Sequence, residues 1–180
     1  MQIDITSYFN HRIKYYTKYE KIGFSNTKSI YGVNGITITE KIDTICCNKI
    51  QVGICSNSNG DYDNIACDGQ KIFIDSIIAD SINIIGFCEF GTVSEELKIY
   101  DNDICHSFEF VLKTFHTNAN QGIDNSERNN KCQLIAKFMG NDNQKHNFYS
   151  YKIDFYKKLI VKSITLPINL SLHILAIQFG

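Results

Sequence analysis

The chain has 180 residues, 43% of them hydrophobic and 12% aromatic, with 18 lysines and arginines against 19 aspartates and glutamates and a formal net charge of -1. That length suits one domain with a two-layer core, spanning 1–180, and that composition excludes a disordered chain. The near-neutral balance excludes the basic footprint needed for nucleic acid or an anionic membrane surface.

The opening "MQIDITSYFN" has no basic stretch leading into an apolar run, and the longest apolar runs fall short of a membrane span. The expectation is a cytoplasmic protein, or an extracellular one if the chain is a domain cut from a larger secreted protein. Cysteine usage agrees with a reducing compartment. Cys46, Cys47, Cys55, Cys67, Cys88, Cys105 and Cys132 are odd in number, lack C-x-x-C spacing, and several sit inside strand-like runs as small apolar side chains.

Taken in order, the segments read as strands, and helical periodicity is almost absent. "QIDITSYF" is the first. "NKIQVGIC" places Ile50, Val52 and Ile54 on one face, and "SINIIGFCEF" is apolar on both faces, as an inner strand should be. "VSEELKIYD" alternates Val93, Leu97 and Ile99 with polar residues, with Glu95 breaking the apolar side. "SFEFVLKTF" aligns Phe108, Phe110 and Leu112, after which "QLIAKFMG", "FYSYKIDF", "KLIVKSITL" and "LHILAIQF" continue the series. Turn-rich stretches separate them: "CSNSNGDYDN", "ACDGQ", "YDND", "HTNANQGIDNSERNN" and "GNDNQKHN". The single proline, Pro167, falls between the last two strands, where a missing N–H does no harm. Many short strands with such loops predict an all-β antiparallel sandwich or barrel. A last strand as apolar as "LHILAIQF" is a hazard at a sheet edge. It is therefore predicted to pair on both sides, with "QIDITSYF" nearby.

The order of "IDITSYFN", "DNIACDGQKIFI", "INIIGFCEFGTVSEELKIYD", "FYSYKIDF" and "VKSITLPINLSLHILAIQF" resembles the galactose-binding-like β-sandwich domains appended to bacterial glycoside hydrolases. The likeness spans nearly the whole chain and is most specific at Asp68-Gly69-Gln70 and from Ser163 to Ile177. It implies an antiparallel jelly-roll sandwich and a non-catalytic, lectin-like carbohydrate-binding module. This chain departs from the pattern in two places. The segment "KYYTKYEKIGFSNTKSIYGVNG" lacks the family's Asp-Gly-Gly cluster, and no tryptophan occurs anywhere, Phe115 standing near the usual position of one.

Three groups of residues are candidates for chemistry. Asp61, Asp63, Asn64 and Asp68 offer hard oxygen ligands within a few residues, as one structural calcium ion would require, without EF-hand spacing. The plainer reading of that loop is Asx turns with solvated acids, Asp68 being a turn former. Tyr31, Asn34, His116 and Tyr149 are the expected ligand-binding set, because rings beside amide or imidazole groups suit the alternating apolar and hydroxyl surface of a sugar. The rings of Tyr15, Tyr16 and Tyr19 belong to the same aromatic-rich surface, although adjacent Tyr15 and Tyr16 point apart in an extended segment.

The five histidines have no metal-ligand spacing, and His173 reads as a packed structural residue. Cys105 and His106 diverge on a strand, Glu95 and Glu96 diverge likewise, and no nucleophile elbow or phosphate-cradling loop occurs, so the expectation is that the chain is not an enzyme. The expected partner is a glycan or another protein, with no nucleic acid and no membrane insertion. The alternative function is an intracellular structural or protein–protein interaction sandwich without sugar binding, which the free cysteines and absent tryptophan favour.

Overall fold

The computed structural model describes residues 1–11, 44–47, 50–53, 62–116, 131–140 and 143–180. These form nine strands and one 3-10 turn, Thr6–Tyr8. The strands are β1 (Thr44–Cys47), β2 (Ile50–Gly53), β3 (Ile65–Asp68), β4 (Lys71–Cys88), β5 (Val93–Asp101), β6 (Ile104–Leu112), β7 (Cys132–Met139), β8 (Lys145–Thr165) and β9 (Ile168–Phe179). β1 and β2 make a separate hairpin; the other seven strands form one curled antiparallel sheet in the order β3-β9-β4-β8-β5-β6, with β7 also on β8. Among the described residues, no helix is long and apolar enough to cross a membrane.

Two strands are far longer than their sequence signals suggest. "FYSYKIDF" and "KLIVKSITL" read as separate strands, but both belong to the 21-residue β8, and "SINIIGFCEF" contributes the second half of the 18-residue β4. Drawn straight, β4 would span roughly 59 Å at ~3.3 Å per residue. It cannot be straight. Its start lies beside Leu166, whose N–H donates to Gln70 O, and its end pairs with Leu172. Six residues of chain between those two points span at most about 22 Å, so β4 and β8 fold over together.

The bend falls where the pairing slips. Register shifts occur between Phe73 and Ile77 and between Ala79 and Ser81, and Ser76 takes a positive φ of 24°. Extra residues on one strand increase twist and bend the pair. Beyond the bend, β8 changes neighbours: Cys132–Met139 pair with its first part and Lys98–Asp101 with its last. The β5–β6 hairpin thereby comes to lie over the other half of the sheet. Phe108 meets Phe155 at 5.1 Å between ring centroids, and Phe110 meets Tyr151 at 6.4 Å. Ile82, Ile84, Leu97, Ile99 and Val161 fill the buried space as well. The anomalous Glu95 finds a partner here: its carboxylate accepts from Asn169 Nδ2 at 2.7 Å.

β9 is an interior strand, as its apolarity demands. On one side it pairs with Ile82–Cys88; on the other, with β3 and then with the first residues of the chain. Gln2 bridges Gln178, Ile3 N–H donates to Ile177 O at 3.1 Å, and Phe179 N–H donates to Met1 O at 2.7 Å. The segment then turns through Thr6–Tyr8, where Asp4 accepts from the Thr6 N–H at 2.9 Å and from its hydroxyl at 2.7 Å. Those bonds hold the Asp4 carboxyl below its usual range. Ile5 and Phe9 are buried against the sheet.

One glycine permits the close approach of β9 to β4. A Cβ on Gly86 would lie 2.0 Å from His173 O and 3.2 Å from Leu112 Cδ1, whereas at Gly91, with φ +65°, a Cβ would meet nothing within 4 Å. Gly86→Ala is therefore expected to cost about 3 kcal/mol or more, since backbone must move. Gly91→Ala should cost only about 1 kcal/mol for its positive φ. Urea unfolding of both variants checks this; similar losses would show that the approach at Gly86 is not a constraint.

Candidate functional site

On the face of the sheet turned away from Phe108 and Phe110, a row of rings crosses the strands. Phe87 and His173 are directly paired across β4 and β9, with rings stacked at 4.8 Å and 15°. Phe115 lies 4.8 Å from Phe87, because residues after β6 turn back alongside the end of β4. There Cys88 bridges Thr114 in parallel, Cys88 N–H donates to Lys113 O, and Phe115 N–H donates to Cys88 O at 2.7 Å. Phe115 O in turn accepts from Asn147 N–H at 2.8 Å, bringing β8 alongside. His146 of β8 then stacks on Phe115 at 4.3 Å and 10°, and His116 meets His146 edge-on at 5.5 Å. Phe148 closes the row from below, 5.3 Å from Phe87. Cross-strand neighbours of this kind stabilise a sheet locally, aromatic pairs most of all.

The other end of the row is polar and buried. His11 stands 4.4 Å from His173 between ring centroids, brought there by two-way backbone bonding between His11 and Asn64. Asn10 adds to the join, donating from Nδ2 to Ala66 O at 3.0 Å and accepting the Ala66 N–H at 2.7 Å. Both imidazoles converge on one atom: His11 Nδ1 and His173 Nδ1 each lie 3.0 Å from Asn64 Oδ1. Asn64 Nδ2 donates to Asp63 Oδ1 at 2.8 Å. A carboxylate only accepts, so the Asn64 amide NH2 must face Asp63 and its oxygen must face the histidines. Both histidines therefore donate from Nδ1. His173 Nε2 is buried and has no hydrogen-bond partner among the described residues. Burial, and then repulsion from His11, push the His173 imidazole well below the ordinary histidine range. It is a neutral, packed residue, as the sequence suggests.

The residues singled out in the sequence are dispersed. Tyr31, Asn34 and Asp61 lie outside the described residues. His116 is half-buried at one end of the ring row, its N–H donating to Thr114 Oγ1 at 3.3 Å. Tyr149 is buried on β8, opposite Gly86 and Leu134, so it belongs to the core and not to a loop. Asp63 is fully buried on the Asn64 amide, while Asp68 is exposed at the far end of β3. Five residues of extended chain separate the two carboxylates by roughly 16 Å, too far to share one calcium ion at its usual 2.3–2.6 Å. Asp68 instead opens the turn into β4, its N–H donating to Gln70 Oε1 at 2.7 Å ahead of Gly69 at φ +71°. Among the described residues, no group of three or more His, Cys, Asp or Glu side chains is placed to hold a metal ion.

Cys67, Cys88 and Cys132 are buried thiols. Burial is the first cause raising Cys88 and Cys132, each to about 11, and it raises Cys67 further still.

Comparison with models of known protein families and with characterised proteins finds no match for this chain.

Asn64 is the hub of the polar end of the row. Asn64→Ala would remove the acceptor that His11 and His173 share and the N–H donated to Asp63, at about 1–3 kcal/mol for each buried bond lost. The expected result is a loss of about 3 kcal/mol or more in urea unfolding, and a loss below about 1 kcal/mol would remove Asn64 from that role.

Proposed function

We propose that this chain is a non-catalytic binding module of the galactose-binding-like class, its curled sheet a jelly-roll sandwich formed by residues 1–180 as one domain. We take its ligand to be a glycan, bound where the ring row ends at His116. One observation carries the reading. His116 is half-buried and held edge-on against the stacked, buried rings of Phe115 and His146, so its imidazole is the accessible, fixed ring of the row. Sugar sites combine such apolar planes with a few fixed polar groups. Tyr31 and Asn34, the other candidates, lie outside the described residues. The both-sided pairing of β9 and the β5–β6 hairpin laid over the other half of the sheet support the sandwich resemblance. Tyr149 acts from beneath, as a core residue.

A second reading, a protein-interaction sandwich, draws on exposed apolar side chains. Ile78 and Ile160 face each other across β4 and β8 and are 68% and 42% exposed, and Phe73 nearby is 71% exposed. Paired exposed isoleucines on a sheet face suit a protein partner better than a sugar.

Thermal unfolding with a panel of sugars separates the two. A bound glycan at about a hundred times its dissociation constant should add roughly 2.7 kcal/mol. His116→Ala should abolish that gain, whereas Tyr149→Ala should lower the unliganded stability by about 3 kcal/mol through loss of a buried ring. A panel without any sugar-specific rise, or a His116→Ala variant that responds like the parent, would overturn the glycan site.

A further inference from the structure

We propose that His11, Asn64 and His173 form an acid-released latch that fastens the N-terminal segment, residues 1–11, to the sheet. The fastening is local and specific. At its end, the segment is joined to the sheet through the backbone bonds of Asn10 and His11 to Asn64 and through the Asn10 side chain on Ala66. Those bonds hold His11 so that its imidazole and that of His173, 4.4 Å apart, share the single acceptor Asn64 Oδ1.

His173 is the member of the pair that is poorly placed to carry a charge. Asp63, on the Asn64 amide, is the carboxylate built into the cluster and can balance one imidazolium. A second proton would go to a ring that is 1% exposed, with Nε2 enclosed and no acceptor among the described residues. From β4, uncharged Phe87 faces His173, followed by the protonated thiol of Cys88 and then Glu89. From β3, Cys67 is held protonated by burial. His146 stands two phenyl rings away along the row.

The sign follows from linkage. In the open latch, His173 titrates near the ordinary value of about 6.5. In the closed latch it stays neutral to lower pH. Below about 6.5 the open form therefore binds the additional proton, and opening is favoured about tenfold for each further pH unit, until His173 also titrates in the closed form. Above that value the latch is at full strength. Acid would thus free the Asn10–His11 end of the segment from Asn64 and Ala66 before the sheet itself opens.

Backbone hydrogen exchange of the full chain at pH 7.5, 6.5, 5.5 and 5.0, corrected for intrinsic rates, tests this. Exchange at Asn10, His11, Asn64 and Ala66 should rise about tenfold per pH unit below 6.5 relative to Leu97 and Ile99 of β5. In His173→Asn, whose side-chain N–H can still reach Asn64 but cannot titrate, the relative rise should vanish. A constant ratio in the unmodified chain, or a rise that persists in His173→Asn, would overturn the latch. If His173→Asn does not fold, the ratio in the unmodified chain decides alone.

Discussion

An apolar strand at the end of a chain is safe only when both of its edges are hydrogen-bonded, and β9 meets that condition with β4, β3 and the first residues of the chain. Its inner edge is satisfied by β4, its outer edge by β3 and the first three residues. The remaining architecture accommodates this. β4 must come close enough to β9 for Gly86 to be the residue that tolerates His173 O. The N-terminal segment must return across β3, which places Ile5 and Phe9 in the core and carries His11 to Asn64. A free edge of such composition would invite pairing with another molecule; covering it with the chain's own beginning removes that hazard.

The same arrangement determines where chemistry can collect. Because β4 and β8 fold over together at their bulges, one face of the sheet's first half is taken up by Phe108 and Phe110 of β6, and its other face carries the ring row. Phe87 and Phe115 form the apolar middle of that row, and imidazoles stand at both ends. The two ends differ in character. His11 and His173 are sealed and tied to the Asn64 amide. His116 is half-buried at the rim, edge-on to Phe115 and His146.

Much of the fold is legible in the sequence, and the reason is periodicity. Alternation in "VSEELKIYD" and "SFEFVLKTF" marks β5 and β6, the Asp-Gly-Gln turn marks the start of β4, and the apolar ending anticipates an interior last strand beside the first residues. Strand length is not legible, since the bulges that let β8 run through 21 residues interrupt the alternation and read as strand ends. The ring row is not legible either. Its members come from the N-terminal segment, β4, the residues after β6, β8 and β9, and only the register across the sheet brings them together. His173 reads correctly as a packed residue because it sits in an apolar run. Nothing local in sequence connects it to His11, 162 positions earlier. Asp63 and Asp68 are neighbours in sequence and look like one oxygen cluster. Asp63, two residues before β3, is buried, whereas Asp68, the last residue of β3, is exposed.

The central claim is that the first residues complete the last strand's hydrogen bonding, and proline tests it at one atom. Ile3→Pro removes the N–H that donates to Ile177 O at 3.1 Å, while Ile3→Val trims the side chain and keeps that bond. The urea midpoint of the proline variant should fall below that of the valine variant by an amount equivalent to about 1–3 kcal/mol. Equal midpoints would contradict the account, because β9 would then be stable without its outer partner.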